Sequence, residues 1–381
     1  MELYMLTETL TYNKKWEYHL KQERPLTDAT IVFIFGDREE FKNPKIYEEI
    51  KELYPYSDII GCTSSGNILG ESLSSASLVA TAVYFEKGFI KVSVKDFDSD
   101  DDLFNLSKSV VDALDKEGLK HVFLLSDGLN MNGSFLAQGA NKAVESKIPI
   151  TGGLAGDATN FEETWVIAND VAVQNRVVGI GFYGDSLSIS SGCYAGWEEF
   201  GIYRRITKSV DNVVYEIDGQ PALDLYKKYL GEYAENLEEN GLHFPFSVKK
   251  EHEDWAVIRS VLAVNEEEKT LVFAGDMEEG SLARLMKADI DGLIDGSEMA
   301  ARNIVQSNNK SALGLVVSCV GRRVVLNQLS DEELESIGDI LGANVQLTGF
   351  YSYGELAPHS NEILSCRLHN QTMTLTVIYE D

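Results

Sequence analysis

The sequence predicts an α/β (α+β) fold of mixed β-sheets with outer helices, and three observations carry that prediction. A buried strand runs into a glycine and then into a small polar loop three times: Ile59-Ile60-Gly61-Cys62-Thr63-Ser64-Ser65-Gly66, Pro149-Ile150-Thr151-Gly152-Gly153-Leu154-Ala155-Gly156-Asp157, and Leu347-Thr348-Gly349-Phe350-Tyr351-Ser352-Tyr353-Gly354-Glu355. The spacing repeats as well. From the last residue of the preceding strand to the loop glycine it is 26 (61 − 35, from Phe35), 27 (152 − 125, from Leu125) and 31 (349 − 318, from Ser318) residues. Lastly, β-rich segments follow each loop, so the chain reads as three similar units of strand, helix, strand, glycine loop and hairpin.

In the first unit, Thr30 to Phe35 is a continuous apolar run, as expected of a strand covered on both faces. Asn43-Pro44 signals a helix start, with Ile46, Ile50 and Leu53 at helical spacing. Strands Ala76 to Phe85 and Gly88 to Val94 turn at Glu86-Lys87-Gly88. The second unit opens with Asp101 or Asp102 capping a helix that carries Leu103, Leu106, Val110 and Leu114. Strand His121 to Ser126 and a small-residue helix from Ser134 to Ser146 follow. The third unit pairs the strand Leu313 to Cys319 with a helix whose capping box is Ser330 and Glu333, and ends in a hairpin turning at His369-Asn370-Gln371. Before it come strands at Ala256 to Val264, Leu271 to Ala274 and Leu282 to Met286, the last pair turning at Glu278-Glu279-Gly280, and a helix from Ile290 to Ser307. The first two strands of each unit need a crossover and are expected to be parallel. Gly196 to Gly201 starts a second half, so the expected division is a lead-in over 1–29, an N-terminal domain over 30–196 and a C-terminal domain over 197–381.

Composition narrows the function. Against 33 basic residues stand 61 acidic ones, a formal charge of −28, which repels phosphate backbones and anionic membrane surfaces. Neither nucleic acid nor membrane is an expected partner. The four cysteines, Cys62, Cys193, Cys319 and Cys366, are far apart and form no C-x-x-C pair, which fits a reducing compartment. Met1 to Thr30 has no apolar core of a signal peptide, and no stretch approaches the roughly 20 apolar residues of a membrane span. A cytoplasmic location is expected.

Loops of this kind can hold a ligand, because glycine lets the backbone approach closely and neighbouring hydroxyls supply donors and acceptors. The candidate ligand-binding residues are Gly61, Cys62, Thr63, Ser64, Ser65 and Gly66 of the first loop, and Gly152, Gly153, Gly156 and Asp157 of the second. The third contributes Tyr351, Ser352, Tyr353, Gly354 and Glu355, joined by Arg322 and Asn370. Glu355 has two readings: an acceptor for a ligand ammonium or amide between tyrosine walls, or an ion pair with Arg322 or Arg323. Arg322 can clamp a ligand carboxylate through two parallel hydrogen bonds. Asp157 has the alternative of capping a turn, and Asn370-Gln371 of making the last hairpin.

Enzymatic readings are thinner. Gly61 and Gly66 have phosphate-loop spacing, but Asn67 stands where the lysine belongs. Cys62 is a candidate nucleophile with no histidine near it in sequence. The six histidines show no metal-ligand spacing; a haem needs only one, and His243 beside Phe244-Pro245-Phe246 has the apolar company for it. No metal is expected.

Six motifs in order resemble the FIST family: the three loops, Glu216 to Leu223, Ser318 to Arg322, and Asn370-Gln371-Thr372. The resemblance covers nearly the whole chain as an N-terminal and a C-terminal FIST half. It implies an intracellular signal-transduction input module for small ligands such as amino acids, and the leading expectation is a non-enzymatic sensory protein that binds a small polar metabolite between its two halves. Such modules accompany histidine kinases, chemoreceptors or cyclic-dinucleotide enzymes; with none of these attached here, a partner acting in trans is expected. Relatives that bind haem and sense nitric oxide, and others that carry an F-box, make a haem gas sensor and a protein-interaction scaffold the alternatives. A cysteine-dependent hydrolase using Cys62 is the remaining one.

Overall fold

The computed structural model describes residues 5–237, 241–305 and 311–381. The first unit comprises β1 (Leu6–Tyr12), β2 (Trp16–Leu20), β3 (Ile31–Gly36), α1 (Arg38–Phe41), α2 (Lys45–Leu53), β4 (Asp58–Thr63), β5 (Asn67–Leu69), β6 (Ser72–Ser74) and β7 (Leu78–Tyr84). The second comprises β8 (Phe89–Asp96), α3 (Leu103–Asp112), β9 (Leu119–Ser126), α4 (Gly133–Val144), β10 (Ile150–Leu154), β11 (Val166–Ala168) and β12 (Arg176–Tyr183). The third begins with β13 (Leu187–Tyr194). It resumes at α6 (Ile290–Arg302) and continues through β23 (Ala312–Cys319), α7 (Val320–Leu326), α8 (Ser330–Leu341), β24 (Val345–Ser352), β25 (Gly354–Pro358), β26 (Cys366–His369) and β27 (Met373–Glu380). Between β13 and α6 lie β14 (Glu198–Glu199), β15 (Arg204–Val210), β16 (Val213–Ile217), β17 (Gln220–Pro221), α5 (Ala222–Leu230), β18 (Phe246–Lys249), β19 (Val257–Arg259), β20 (Val261–Asn265), β21 (Thr270–Phe273) and β22 (Leu282–Lys287). These nine strands make a sheet of their own, with a separate core under α5.

The mixed α/β class is borne out. Each unit places its two crossover-linked strands side by side and parallel: β3 with β4, β9 with β10, β23 with β24. Each parallel pair lies inside a six-stranded sheet, at its centre for β9–β10 and β23–β24 and one strand off centre for β3–β4. Alternation along the strands explains the continuous apolar runs. Ile31, Phe33 and Phe35 enter a central core shared by all three sheets, while Val32 and Ile34 meet Ile46 and Ile50 of α2. In β9, Phe123 and Leu125 face the centre, and Val122 and Leu124 lie under α3 and α4. At the centre Phe35 stacks on Phe350 at 4.8 Å, and Phe123 meets Phe33 edge-on at 6.2 Å.

The sheets exchange strands in a cycle. The arm after each glycine loop crosses to a neighbour: β5 pairs with β24, β11 with β4, and β25 with β10. The outer strands cycle as well, with β8 on β12, β13 on β27, and the N-terminal β1 closing the round on β7. Strands of 30–196 and 197–381 therefore share sheets. The expected hairpin strands are present but their pairing differs. β7 and β8, turning at Glu86 to Gly88, lie in two neighbouring sheets, as do β26 and β27. The turn is a corner of the body, held by the Glu380 carboxylate, which accepts from the amides of Glu86, Lys87 and Gly88 at 2.7, 2.7 and 2.6 Å. Likewise β21 and β22 do not pair, because β15 and β16 stand between them.

Helix ends follow the sequence in part. Asp102 caps α3 by accepting from the Asn105 amide, and Asn132 caps α4 through the Ser134 and Phe135 amides. The Ser330–Glu333 capping box does not form: the Ser330 hydroxyl donates to the Asn327 carbonyl, and Glu333 turns into the core to meet Arg322. The helix expected from Ile290 to Ser307 ends at Arg302; 306–310 lie outside the described residues.

The repeated glycine has a steric cause. Gly61, Gly152 and Gly349 sit inside β4, β10 and β24, ahead of the loops. A Cβ there would stand 1.8, 1.9 and 1.8 Å from the carbonyl oxygens of Ile34, Leu124 and Val316 on the parallel partner strand. Replacing any of the three with alanine is expected to cost about 3 kcal/mol or more of unfolding free energy by overpacking. At Gly118, whose φ is +72° and whose side-chain space is open, alanine should cost only about 1–2 kcal/mol. Urea titrations of the four variants test the contrast, and equal losses would refute it.

Candidate functional site

Beyond those glycines the three loops meet and close on one another. The Ser65 amide donates to the Tyr351 carbonyl at 2.8 Å, the Gly156 amide to Thr63 at 3.0 Å, and the Tyr353 amide to Leu154 at 3.2 Å. Each donor stands four residues past its unit's strand glycine and each acceptor two, so the ring has the threefold character of the sheets. One backbone donor of each loop is thus engaged by a neighbouring loop. Side chains reinforce it. The Ser64 hydroxyl accepts from the Gly66 amide at 2.8 Å, and Ser65 donates to the Ala158 carbonyl at 2.9 Å. Gly156 is glycine because a Cβ would strike the Ser65 hydroxyl at 2.2 Å. Arg323 donates to the Ser65 carbonyl.

Asp157 is a hub of the second loop. It accepts from the Tyr353 hydroxyl, from the amides of Phe161, Glu162 and Glu163 at 2.9, 3.0 and 3.0 Å, and from Arg38 at 2.9 Å. Burial would raise its carboxyl, but the Tyr353 hydroxyl and the three amides outweigh burial and hold it below the usual range. Phe161 stacks on Tyr353 at 4.5 Å. Cys62, inside β4, is fully buried, and burial pushes its thiol well up, the opposite of an activated nucleophile.

Arg322, expected to clamp a ligand, is fully buried and saturated. Its guanidinium donates to Glu333 (3.0 and 2.8 Å), to the carbonyls of Ala195 (2.6 Å) and Leu293 (2.7 Å), and to Ser297 (2.8 Å). Ser318 and Tyr351 donate to the other oxygen of Glu333 at 3.1 and 2.6 Å. Glu355 pairs with neither Arg322 nor Arg323. It accepts from the Ser352 hydroxyl at 2.5 Å and from the Thr372 hydroxyl and amide at 2.9 and 3.2 Å, and burial pushes its carboxyl up to about 7. Asn370 is buried with both ends of its carboxamide lacking a protein partner among the described residues.

The open space lies elsewhere. A cleft of about 640 Å³ separates α4 and β26 from the inserted sheet, and none of the expected site residues lines it. Its walls include Ser134, Gln138 and Asn141 of α4, Arg259 of β19, Asp276, and Arg367 of β26. A second hollow of about 270 Å³, lined by Cys193, Trp197, Met286, His359, His369 and Thr372, touches the Glu355 cluster only through Thr372. His243 lines neither, and its Nδ1 lacks a protein partner among the described residues. A charged residue of the cleft wall that sequence reasoning did not single out is Arg259. Its signal was a single charge inside the apolar run Val257-Ile258-Arg259-Ser260-Val261, a position where a cation must be answered by its surroundings.

Among the described residues there is no group of three or more His, Cys, Asp or Glu placed to hold a metal ion, and no helix is long and apolar enough to cross a membrane.

The raised Glu355 carboxyl ties stability to pH. Its folded value of about 7 exceeds the usual one near 4.5, so the folded chain holds a proton that the unfolded chain releases. That stability is complete below about pH 4.5 and is lost as pH rises through 7, on the order of 3 kcal/mol in all. Glu355→Gln should flatten the stability profile between pH 5 and 8 relative to the parent. Parallel profiles from denaturant titrations would disprove the assignment.

Comparison with known proteins gives the following. A family model described as the FIST N domain matches residues 30–220, and one described as the FIST C domain matches residues 222–358. An uncharacterized protein of Methanocaldococcus jannaschii is 26% identical over 402 aligned positions, covering 92% of this chain and 73% of that protein. Among solved structures, cyanuric acid hydrolase from A. caulinodans aligns over 99% of this chain and 98% of its own, with a TM-score of 0.38 and 6% identity. A second cyanuric acid hydrolase structure gives 0.36 and 9%, covering 99% of both chains.

Proposed function

The chain belongs to the FIST family, and on that premise we propose that it is a sensory protein binding a small polar metabolite in the cleft between α4 and the inserted sheet. FIST domains are associated with sensory and signal-transduction roles. One observation supports this location above the others: the cleft of about 640 Å³ is walled by α4 from the N-terminal half and by β18, β19 and β26 from the C-terminal half. A molecule bound there contacts both halves and favours whichever arrangement it bridges best. A ligand shifts states only by its differential affinity, and a site shared by two bodies supplies that difference. The output in this reading is a changed surface offered to a separate cytoplasmic signalling protein, a histidine kinase, chemoreceptor or cyclic-dinucleotide enzyme acting in trans.

The test is a thermal-shift screen of the intact chain against amino acids, organic acids and nucleotides. A ligand at a hundred times its dissociation constant adds about 2.7 kcal/mol and raises the midpoint in a concentration-dependent way. Gln138 is exposed on the cleft wall, so Gln138→Trp should fill the space, leave the core intact and abolish the shift. No shift with any compound, or an undiminished shift in Gln138→Trp, would count against this reading.

A further inference from the structure

Arg259 is only 6% exposed, yet no carboxylate lies within salt-bridge reach of it among the described residues. Its other donors are held in the wall. Nε donates to the Asp276 carbonyl at 3.3 Å, and the two protons of Nη1 go to the carbonyls of Ile258 and Leu368 at 3.1 and 2.9 Å. Nη2, with two N–H bonds, meets no protein acceptor among the described residues, and the side chain lines the cleft. Burial lowers the guanidinium to about 10, so it stays charged at neutral pH. The Asp276 carboxylate attracts it from beyond salt-bridge reach and Arg367 repels it. Buried charges in folded proteins are usually paired directly, and among the described residues Arg259 has no such pair.

A second donor converges on the same place. Ser134, in the first turn of the 12-residue α4, also lines the cleft and is buried. Its hydroxyl accepts from the Asp276 amide at 3.4 Å, which leaves its own proton to give. Arg259 and Ser134 thus grip the two sides of Asp276, one through its carbonyl and one through its amide, and the positive end of the α4 dipole favours an anion beside them. The remaining cations of the cleft are engaged: Lys250 pairs with Glu278, Arg367 with Glu253, and Lys249 lies over the Tyr203 ring. Asp211, Asp276, Glu278 and Glu279 line the cleft too, and their field disfavours a second negative charge.

Resting on the cleft reading above, we propose that the ligand carries a single carboxylate, received by the Nη2 donors of Arg259 and the hydroxyl of Ser134. Dianions are rejected by the surrounding acids. The test uses butyrate, lactate and γ-aminobutyrate, each beside its primary amide, with succinate as the dianion, titrated into the intact chain by calorimetry and thermal shift. At least one monocarboxylate should bind while its amide and succinate bind at least tenfold more weakly. A hydrogen bond to a charged group corresponds to roughly ten- to hundredfold in affinity, the loss expected in Arg259→Lys. Ser134→Ala, which leaves the guanidinium in place, should weaken binding severalfold, so the proposal stays testable if Arg259→Lys folds poorly. Absence of binding by every monocarboxylate, or equal binding of acid and amide, overturns it. A monocarboxylate that is excluded by Gln138→Trp but indifferent to Arg259→Lys and Ser134→Ala overturns the carboxylate assignment and leaves the cleft standing. Binding that ignores Gln138→Trp overturns the cleft itself.

Discussion

The closure of three sheets on one core rests on the approach of parallel strands at Gly61, Gly152 and Gly349. With carbonyl oxygens less than 2 Å from where a Cβ would stand, no other residue fits without moving a backbone. That approach brings the three loops within reach of one another, and the Ser65–Tyr351, Gly156–Thr63 and Tyr353–Leu154 hydrogen bonds then join them. The exchanged arms extend the same cycle along the sheets. Each unit leaves an edge that a neighbour's arm covers, which removes the hazard of open strand edges where β4, β10 and β24 would otherwise end their sheets.

Against this body the inserted sheet is fastened at a few defined points. The connection after β13 runs through Ala195, Gly196 and Trp197. Arg322 holds the Ala195 carbonyl, and the Trp197 indole donates to the Gln371 carbonyl at 2.9 Å. Gly196, at φ +77°, lies so close to α6 that a Cβ would be 2.1 Å from the Gly292 carbonyl. A fully buried Arg322–Glu333 pair is weak evidence for net stability, since desolvation offsets the attraction. Its geometry has a different consequence. One guanidinium ties the connection, α6 and α8 together, so the inserted sheet departs from a fixed root.

Much of the frame was legible in the sequence because glycine spacing and strand periodicity are local properties. The three units and the parallel pairs follow from the spacing of strands and glycines, and the cap at Asp102 from its immediate neighbours. Pairing partners do not. Nothing local to Glu86–Gly88 tells whether β7 and β8 form a hairpin or turn a corner, since that depends on Glu380 almost 300 positions away. The capping box failed for a related reason: Glu333 satisfies the local pattern, but a buried guanidinium is a stronger partner than the Ser330 amide, which already donates to the Asn327 carbonyl. The surroundings of the candidate site residues were the least legible. Loops rich in glycine, hydroxyls and tyrosines look alike whether they hold a ligand or each other, and Arg259 sits in a run that reads as an ordinary strand.

The division of labour between ring and cleft follows from energetics. A ring in which every loop donates to the next engages one amide of each loop, and opening it for a ligand would break three hydrogen bonds at once. Asp157, Tyr353 and Arg38 add charge-assisted bonds that stabilise the closed ring. The cleft is the reverse case. Its most deeply buried cation has no direct ion pair among the described residues, and its walls belong to the body and to the inserted sheet, which meet at a few points such as Arg259–Leu368 and Arg367–Glu253. A protein that must respond to a small molecule gains nothing from a site already at its minimum. In the proposed reading, the unpaired charge at Arg259 therefore marks the cleft, rather than the loops that the sequence repeats, as the place for a ligand.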